Sequence, residues 1–292
     1  MAAAKETLML TKLKLLFTTS RPISWVNTAY PFAAGYLVCG GNVDARLIIA
    51  SLFFLIPYNL LMYGINDVFD YESDILNPRK GGVEGAVTAK KYHPLIVWSS
   101  VLLSLPFIVA LILITPPASW IVLTVLLFFV IAYSAKGLRF KEVPFLDSIT
   151  SSIHFVGPFI YALSLVGFPS VAWPAAIAFF LWGMASHAFG AVQDIIPDRE
   201  AGIGSIATVM GARITVWFSA ICYSAAALLV SSYGHLGLVI GLAGLLYVWS
   251  IIDFTSITDK TSGNARAGWK RFLWLNYVTG AVVTICLIVS AL

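Results

Sequence analysis

The chain has 292 residues, of which 59% are hydrophobic and 11% are charged, and its mean hydropathy is +0.89. Soluble domains carry about 25% charged residues, so this composition excludes a soluble enzyme, a nucleic-acid-binding module and a disordered chain. The formal net charge of +4 is modest, and three widely separated cysteines do not form a disulfide framework. The composition therefore predicts a polytopic membrane protein.

The first predicted element is an amphipathic helix over residues 5–17 that lies on the membrane surface. Lys12 and Lys14 interrupt its apolar residues, so the segment does not have the pattern of a signal peptide. Lysines mixed with leucine, methionine and phenylalanine are typical of an interfacial helix.

Nine apolar segments follow, each close to the 20 or so residues that a helix needs to cross a hydrocarbon core about 30 Å thick. They are residues 23–41, 46–66, 95–114, 119–135, 147–166, 171–192, 213–231, 236–252 and 272–291. The sequence therefore predicts an all-α membrane protein. We expect about nine transmembrane helices in a bundle, with a central cavity that faces the cytoplasm.

The charged residues lie almost entirely on one side of these spans. The N-terminal segment and the loops after spans 2, 4, 6 and 8 hold 17 of the 18 Lys and Arg residues, and 13 of the 14 Asp and Glu residues. The positive-inside rule makes that side cytoplasmic. We therefore expect a multi-pass protein of the cell membrane, with its N-terminus in the cytoplasm and its C-terminus outside.

Two acidic clusters mark the cytoplasmic side, one at the end of the second span and one at the end of the sixth. The first reads Asn-Asp-Val-Phe-Asp-Tyr-Glu-Ser-Asp over residues 66–74, and the second reads Asp-Ile-Ile-Pro-Asp over residues 194–198. Their DxxxD pattern recurs at an offset of 124 residues, which indicates two related halves. The predicted organisation is one domain over residues 1–292, with halves at 20–135 and 147–252 and a final helix at 272–291.

Helical spacing brings the acidic side chains of each cluster onto one face, because residues four apart are neighbours on a helix surface. The aligned side chains are Asn66, Asp70 and Asp74 in the first cluster, and Asp194 and Asp198 in the second. The first helix is expected to continue to Asn77, which precedes a proline. Asp67 lies one position off the face and is expected to orient a cation or a ligand.

Carboxylates that face one another at a membrane boundary repel each other and need a cationic partner. Hard oxygen donors suit Mg²⁺, which keeps some waters and bridges carboxylates to the phosphates of a ligand. The five aligned residues are the predicted metal ligands and, with Asp67, the predicted catalytic residues. Basic residues of the same side favour an anionic ligand, a diphosphate, and they are Arg79, Lys80, Lys136, Arg139, Lys141 and Arg199.

The pattern NDxxDxxxD at 66–74 with DxxxD at 194–198, on nine spans, resembles the UbiA superfamily of intramembrane prenyltransferases across the whole chain. Tyr133, Lys136 and Arg139 resemble the family's tyrosine- and lysine-bearing loop, which adds Tyr133 to the predicted diphosphate-binding residues. Pro197 is a departure from the second motif. The sequence also resembles the lycopene elongase branch of this superfamily, which serves C50 carotenoid biosynthesis. The segments that carry this resemblance are residues 20–31, 63–74, 77–86, 181–186 and 272–277.

This resemblance implies a Mg²⁺-dependent prenyltransferase that moves dimethylallyl units from dimethylallyl diphosphate onto the ends of lycopene, or of a similar polyene from the bilayer. In some relatives water captures the resulting cation. The expected partners are these substrates and membrane lipid, and no nucleic acid is expected. The sequence does not identify partner enzymes of carotenoid synthesis. His187, inside the sixth span, is either a proton acceptor, a residue that holds water or a structural histidine.

Two alternatives stay open from the sequence. A UbiA-type prenyltransferase with an aromatic acceptor, as in quinone, haem or chlorophyll pathways, would carry the same acidic motifs. A transporter or a cation-binding membrane protein is the alternative from another class. Transporters place polar sites near the bilayer midplane, whereas these carboxylates gather at one boundary.

Overall fold

The structure, a computed structural model, describes residues 2–75 and 88–291 and shows α-helices but no strand in those two ranges. The predicted all-α class is therefore confirmed. The helices are α1 Ala2–Thr19, α2 Val26–Val38, α3 Ala45–Leu55, α4 Pro57–Phe69, α5 Tyr71–Asp74, α6 His93–Ile114, α7 Pro117–Ser134, α8 Leu146–Leu165, α9 Trp173–Val192, α10 Ile195–Glu200, α11 Ile206–Met210, α12 Ala212–Ser231, α13 Gly234–Ile251 and α14 Arg266–Ala291.

The helix predicted over residues 5–17 is present as the longer helix α1. Its apolar side chains Leu10, Leu13 and Phe17 are each more than half exposed. A helix that leaves such residues uncovered by the rest of the chain suits the boundary between lipid and water.

Eight helical segments within the described residues are long and apolar enough to cross a membrane, against nine predicted spans. The difference lies at residues 23–41, where α2 is helical over only 13 residues. Such a helix is about 20 Å long, which is shorter than the hydrocarbon core. The second predicted span is divided into α3 and α4, because the helix breaks at Ile56, ahead of Pro57.

The helices form two compact units. The first contains Met1–Arg139 and Gly157–Gly167, and the second contains Phe140–Val156 and Phe168–Leu292. Helix α8 contributes residues to both units. The single domain with two related halves that the sequence indicates stays a prediction.

An aromatic cluster forms the core of the first unit. The ring of Phe54 packs against Phe32 and Tyr161, with centroid distances of 5.3 and 5.7 Å, and all three side chains are buried. The side-chain amide of Asn59 donates to the carbonyl oxygens of Phe54 and Leu55 at 2.8 and 3.0 Å. Because a helix end leaves such carbonyls unpaired, Asn59 stabilises the break between α3 and α4.

Two contacts show which helix ends meet in the first unit. Arg46 Nε donates to the carbonyl oxygen of Ile114 at 3.1 Å, which joins the start of α3 to the end of α6. The rings of Tyr71 and His93 lie 5.0 Å apart, which joins α5 to the start of α6. The helix pair α3–α4 therefore runs antiparallel to α6, as two successive membrane spans must.

In the second unit, α9 lies very close to α8 because a glycine occupies the contact. A methyl group at Gly183 would lie 2.4 Å from Ser152 Oγ and 3.0 Å from Ser152 Cα. The hydroxyl of Ser152 donates to the carbonyl oxygen of Phe180 at 2.6 Å. The close approach therefore depends on the absence of a side chain at position 183 and is fixed by one hydrogen bond between the helices.

Gly183→Ala is expected to destabilise the protein by about 1–3 kcal/mol, because the added methyl group pushes α9 away from α8. Gly280→Ala in α14 is the matched control, because a methyl group there meets nothing within 4 Å. Alanine favours a helix more than glycine does, so this variant is expected not to be destabilised. Thermal unfolding in detergent measures both. Equal unfolding temperatures for the two variants would contradict the close contact.

Candidate active site

The first acidic motif lies where α4 gives way to α5, so the helix expected to continue to Asn77 is interrupted at Asp70, and residue 77 lies outside the described residues. Asp70 is the residue between the two helices, and its N–H donates to the carbonyl oxygen of Asn66 at 2.9 Å. Asn66 Nδ2 donates to Asp70 Oδ2 at 2.7 Å and to Ser134 Oγ at 3.1 Å. Asn66 and Asp70 therefore share a face, as their spacing predicts, and the Asn66 amide orients the buried Asp70 carboxylate.

Asp67 pairs with an arginine that lies 46 positions earlier in the chain. Arg21 Nη2 donates to Asp67 Oδ1 at 2.6 Å, and the Asp67 side chain is fully buried. The guanidinium also lies over the ring of Tyr63, 4.2 Å from its centroid. The structure therefore shows a cation of the protein itself beside Asp67, and the expectation that Asp67 orients a bound cation or a ligand stays a prediction.

Arg21 has an unusual backbone conformation, two residues after the end of α1 and directly before Pro22. Its φ of 50° is in the left-handed region, where a residue other than glycine has a conformational strain of about 1–3 kcal/mol. The short ion pair with Asp67 and the contact with Tyr63 hold this conformation. Sequence reasoning does not identify Arg21 as a site residue, and its only signal there is its place beside the first predicted span.

The loop after α7 brings a second cation to the first motif. Arg139 Nη2 lies 3.9 Å from Asp70 Oδ1, and its Nη1 donates to the Phe69 carbonyl oxygen at 3.5 Å. The turn has left-handed backbone at Gly137, with φ 94°, and at Arg139, with φ 43°. The conformation at position 137 favours glycine. Lys136 is exposed in the same loop. The structure thus brings together Arg139 and the first motif, which the sequence predicts to share a site.

The second motif follows the end of α9. Asp194 is the N-cap of α10, and Asp198 lies in that helix's first turn. The N–H of Asp198 donates to the Asp194 carbonyl oxygen at 2.8 Å, so the two residues are one helical turn apart, as predicted. Pro197 is the third residue of α10, where the missing N–H removes no helical hydrogen bond.

Arg199, a predicted diphosphate-binding residue, is engaged in structural contacts. Its Nη1 lies 2.7 Å from Asp259 Oδ2, and its Nη2 donates to the Thr208 carbonyl oxygen at 2.6 Å. Asp259 Oδ1 in turn accepts the N–H of Ala212, the first residue of α12, at 2.7 Å. Arg199 therefore ties α10 to α11 and to the start of α12.

Part of the predicted site lies outside the described residues. These parts are Arg79, Lys80 and the side chain of Asp74, whose backbone ends α5. Across the two described ranges, no group of three or more His, Cys, Asp or Glu side chains is close enough to hold a metal ion. The predicted ligands nevertheless fit Mg²⁺ by chemistry, because each motif offers only hard oxygen donors and Mg²⁺ is bound through one or two carboxylates while it keeps several waters.

Residues 28–277 match the model of the UbiA prenyltransferase family. The chain is 52% identical over 282 residues to a lycopene elongase/hydratase from Corynebacterium glutamicum, which covers 96% of this chain and 98% of that protein. It is 50% identical over 275 residues to the C50 β-cyclic carotenoids biosynthesis protein LbtBC of Dietzia sp. (strain CQ4), covering 93% of this chain and 64% of that protein. A solved UbiA homolog from Archaeoglobus fulgidus, bound to DMAPP and Mg²⁺, has the same fold, with a TM-score of 0.64 and 19% identity over 92% of this chain and 99% of that one.

Proposed function

The chain belongs to the UbiA prenyltransferase family, and we propose that this membrane prenyltransferase moves dimethylallyl units from dimethylallyl diphosphate onto the ends of lycopene. The observation that carries the proposal is the likeness to lycopene elongase/hydratase proteins over nearly the full length of both chains. The acidic motifs and the apolar helices support it, because the reaction joins an anionic donor to an acceptor that dissolves in lipid.

The proposed cofactor is Mg²⁺, and its proposed ligands are oxygen donors of both motifs. They are Asn66, Asp70, Asp74, Asp194 and Asp198. Mg²⁺ bound by such donors stabilises the negative charge of a departing diphosphate. Within the first motif, the hydrogen bond from Asn66 to Asp70 holds one carboxylate in a fixed orientation before any ligand arrives, which lowers the cost of binding.

The cations of the first unit are proposed to act in two different ways. Arg21 neutralises the buried carboxylate of Asp67, so that the pair keeps the end of α4 in place. Arg139, partly exposed beside Asp70, and the exposed Lys136 are proposed to bind diphosphate oxygens, which arginine and lysine do well. The diphosphate-binding role is also proposed for the remaining residues that the sequence predicts, Arg79, Lys80, Tyr133 and Arg199, of which Arg199 also contacts Asp259 and Thr208.

The acceptor is proposed to enter from the bilayer, because lycopene is an apolar polyene and the helices that cross the membrane expose apolar side chains to lipid. The donor is proposed to enter from the cytoplasm. This assignment follows from the loop charges, which favour a cytoplasmic N-terminus and an outer C-terminus.

Membranes that contain the protein are expected to convert lycopene to longer carotenoids when dimethylallyl diphosphate and Mg²⁺ are present. Mass spectrometry of the extracted pigments measures one added five-carbon unit for each end that reacts. A chelator of divalent cations is expected to stop the reaction, and magnesium is expected to restore it.

The control is the Corynebacterium glutamicum relative, assayed in parallel membranes with the same substrates. If that protein elongates lycopene and this one does not, the proposed acceptor is wrong. Transfer of the prenyl group to an aromatic compound of a quinone, haem or chlorophyll pathway would then favour the alternative acceptor class.

A further inference from the structure

A buried carboxylate and a histidine that belong to neither acidic motif meet in the second unit. Asp147, in the first turn of α8, is completely buried. Its Oδ2 accepts the N–H of Ile206 at 2.8 Å and lies 3.5 Å from Nε2 of His187 in α9. The His187 side chain is 21% exposed, so its ring borders open space while the carboxylate does not.

The hydrogen bonds of Asp147 leave its charge incompletely compensated. Oδ1 is buried, and among the described residues it has no hydrogen-bond partner. A buried carboxylate with one amide donor is costly unless a cation lies beside it. A proton gained by His187 would supply that cation, so Asp147 is placed to stabilise the imidazolium when it forms.

The depth of His187 suits the reaction that the family performs. His187 lies about 8 Å along the axis of α9 from Val192, the last residue of that helix, and the second motif begins two residues later. His187 is therefore in the helix that leads to the second motif, on its membrane side, where an apolar five-carbon unit would lie.

We propose that His187 accepts the proton released when water captures the carbocation, and that Asp147 is the positioning residue that stabilises the resulting imidazolium. This inference rests on the proposed function. After the new carbon–carbon bond forms, the positive charge lies on a tertiary carbon of the elongated polyene. A lone pair of water forms the carbon–oxygen bond, one O–H bond of that water breaks, and its proton passes to the imidazole, with no change of oxidation state.

A purely structural role for Asp147 is separable from this one. The carboxylate accepts a hydrogen bond from Ile206 and thereby joins α8 to the start of α11. Asp147→Asn keeps an oxygen acceptor for that amide and removes the negative charge. A loss of function in this variant, in a protein that still folds, would therefore come from the charge.

The test compares His187→Gln and Asp147→Asn with His154→Gln, a control at a second buried histidine of the membrane helices. Two quantities are measured on the same membranes: diphosphate release, and the fraction of elongated carotenoid whose mass includes one added water per five-carbon unit. His187→Gln is expected to lower the hydrated fraction about 100-fold, and Asp147→Asn is expected to lower it in the same direction. His154→Gln is expected to leave it unchanged.

Diphosphate release within a few-fold of wild type in both variants shows that the proteins are folded and still ionise the donor. An unchanged hydrated fraction in both variants, with normal release, overturns the inference. A wild-type product that gains five-carbon units without water also overturns it, while the proposed prenyl transfer stands. Absence of any elongated carotenoid in the wild type is a different result, since it refutes the proposed function itself.

Discussion

Alanine at Asp70 or at Asp194 is expected to lower the turnover of dimethylallyl diphosphate about 1,000-fold. Each change removes a proposed oxygen ligand of Mg²⁺ from one of the two motifs. At Asp70 it also removes the acceptor of the Asn66 amide, 2.7 Å away, and the carboxylate beside Arg139. Diphosphate release from membranes, measured over a range of Mg²⁺ concentrations, tests the prediction.

The matched controls are exposed acidic residues of the same two segments. Glu72→Ala removes an exposed carboxylate whose partner is the exposed Lys90, and such surface pairs contribute about 0–1 kcal/mol. Glu200→Ala removes an exposed carboxylate two residues after the second motif. Both are expected to keep turnover within a few-fold of wild type. Full activity in Asp70→Ala and in Asp194→Ala would remove the proposed metal site.

Arg21→Met is expected to destabilise the protein by about 3–5 kcal/mol, since it leaves the buried Asp67 carboxylate without its cation. Methionine keeps much of the side chain's volume over the ring of Tyr63, so the effect comes mainly from the lost charge. Thermal unfolding in detergent, followed by helical circular dichroism, measures the change in stability.

The double variant Arg21→Met with Asp67→Asn is the control for this interpretation. Asparagine is neutral and of nearly the same size, so the second substitution removes the uncompensated charge. The double variant is expected to be more stable than Arg21→Met alone, because replacing a whole buried ion pair costs less than breaking it. If the two variants unfold at the same temperature, the ion pair does not stabilise the end of α4.

Much of the fold could be predicted because the signals that define it are local. Apolar runs longer than about 18 residues locate spans by composition alone, and the spacing of Asn66 and Asp70 predicts a shared helical face, which the structure shows. The length of α2 could not be predicted. Its apolar run covers residues 23–41, but an initial 3₁₀ turn at Pro22–Ser24 and a stop after Val38 shorten the helix.

The polar pairs that surround the motifs could not be predicted from spacing. Arg21 and Asp67 are 46 positions apart, and Asp147 and His187 are 40 apart, so no local periodicity connects them. Each pair forms only because helix packing brings distant turns together. The sequence can indicate such residues only because they are charged or ionisable and lie at the start of an apolar segment or inside it.

The ion pair of Arg21 and Asp67 also limits how freely parts of this protein can be exchanged with those of its relatives. A relative that receives residues 66–74 of this protein, but has a residue other than arginine at the position equivalent to 21, would gain a buried anion without its counter-ion. Grafts that carry the segment around Arg21 together with the motif would keep the charge balanced. The acidic motif is therefore transferable only as a discontinuous module, whose first part begins where α1 ends.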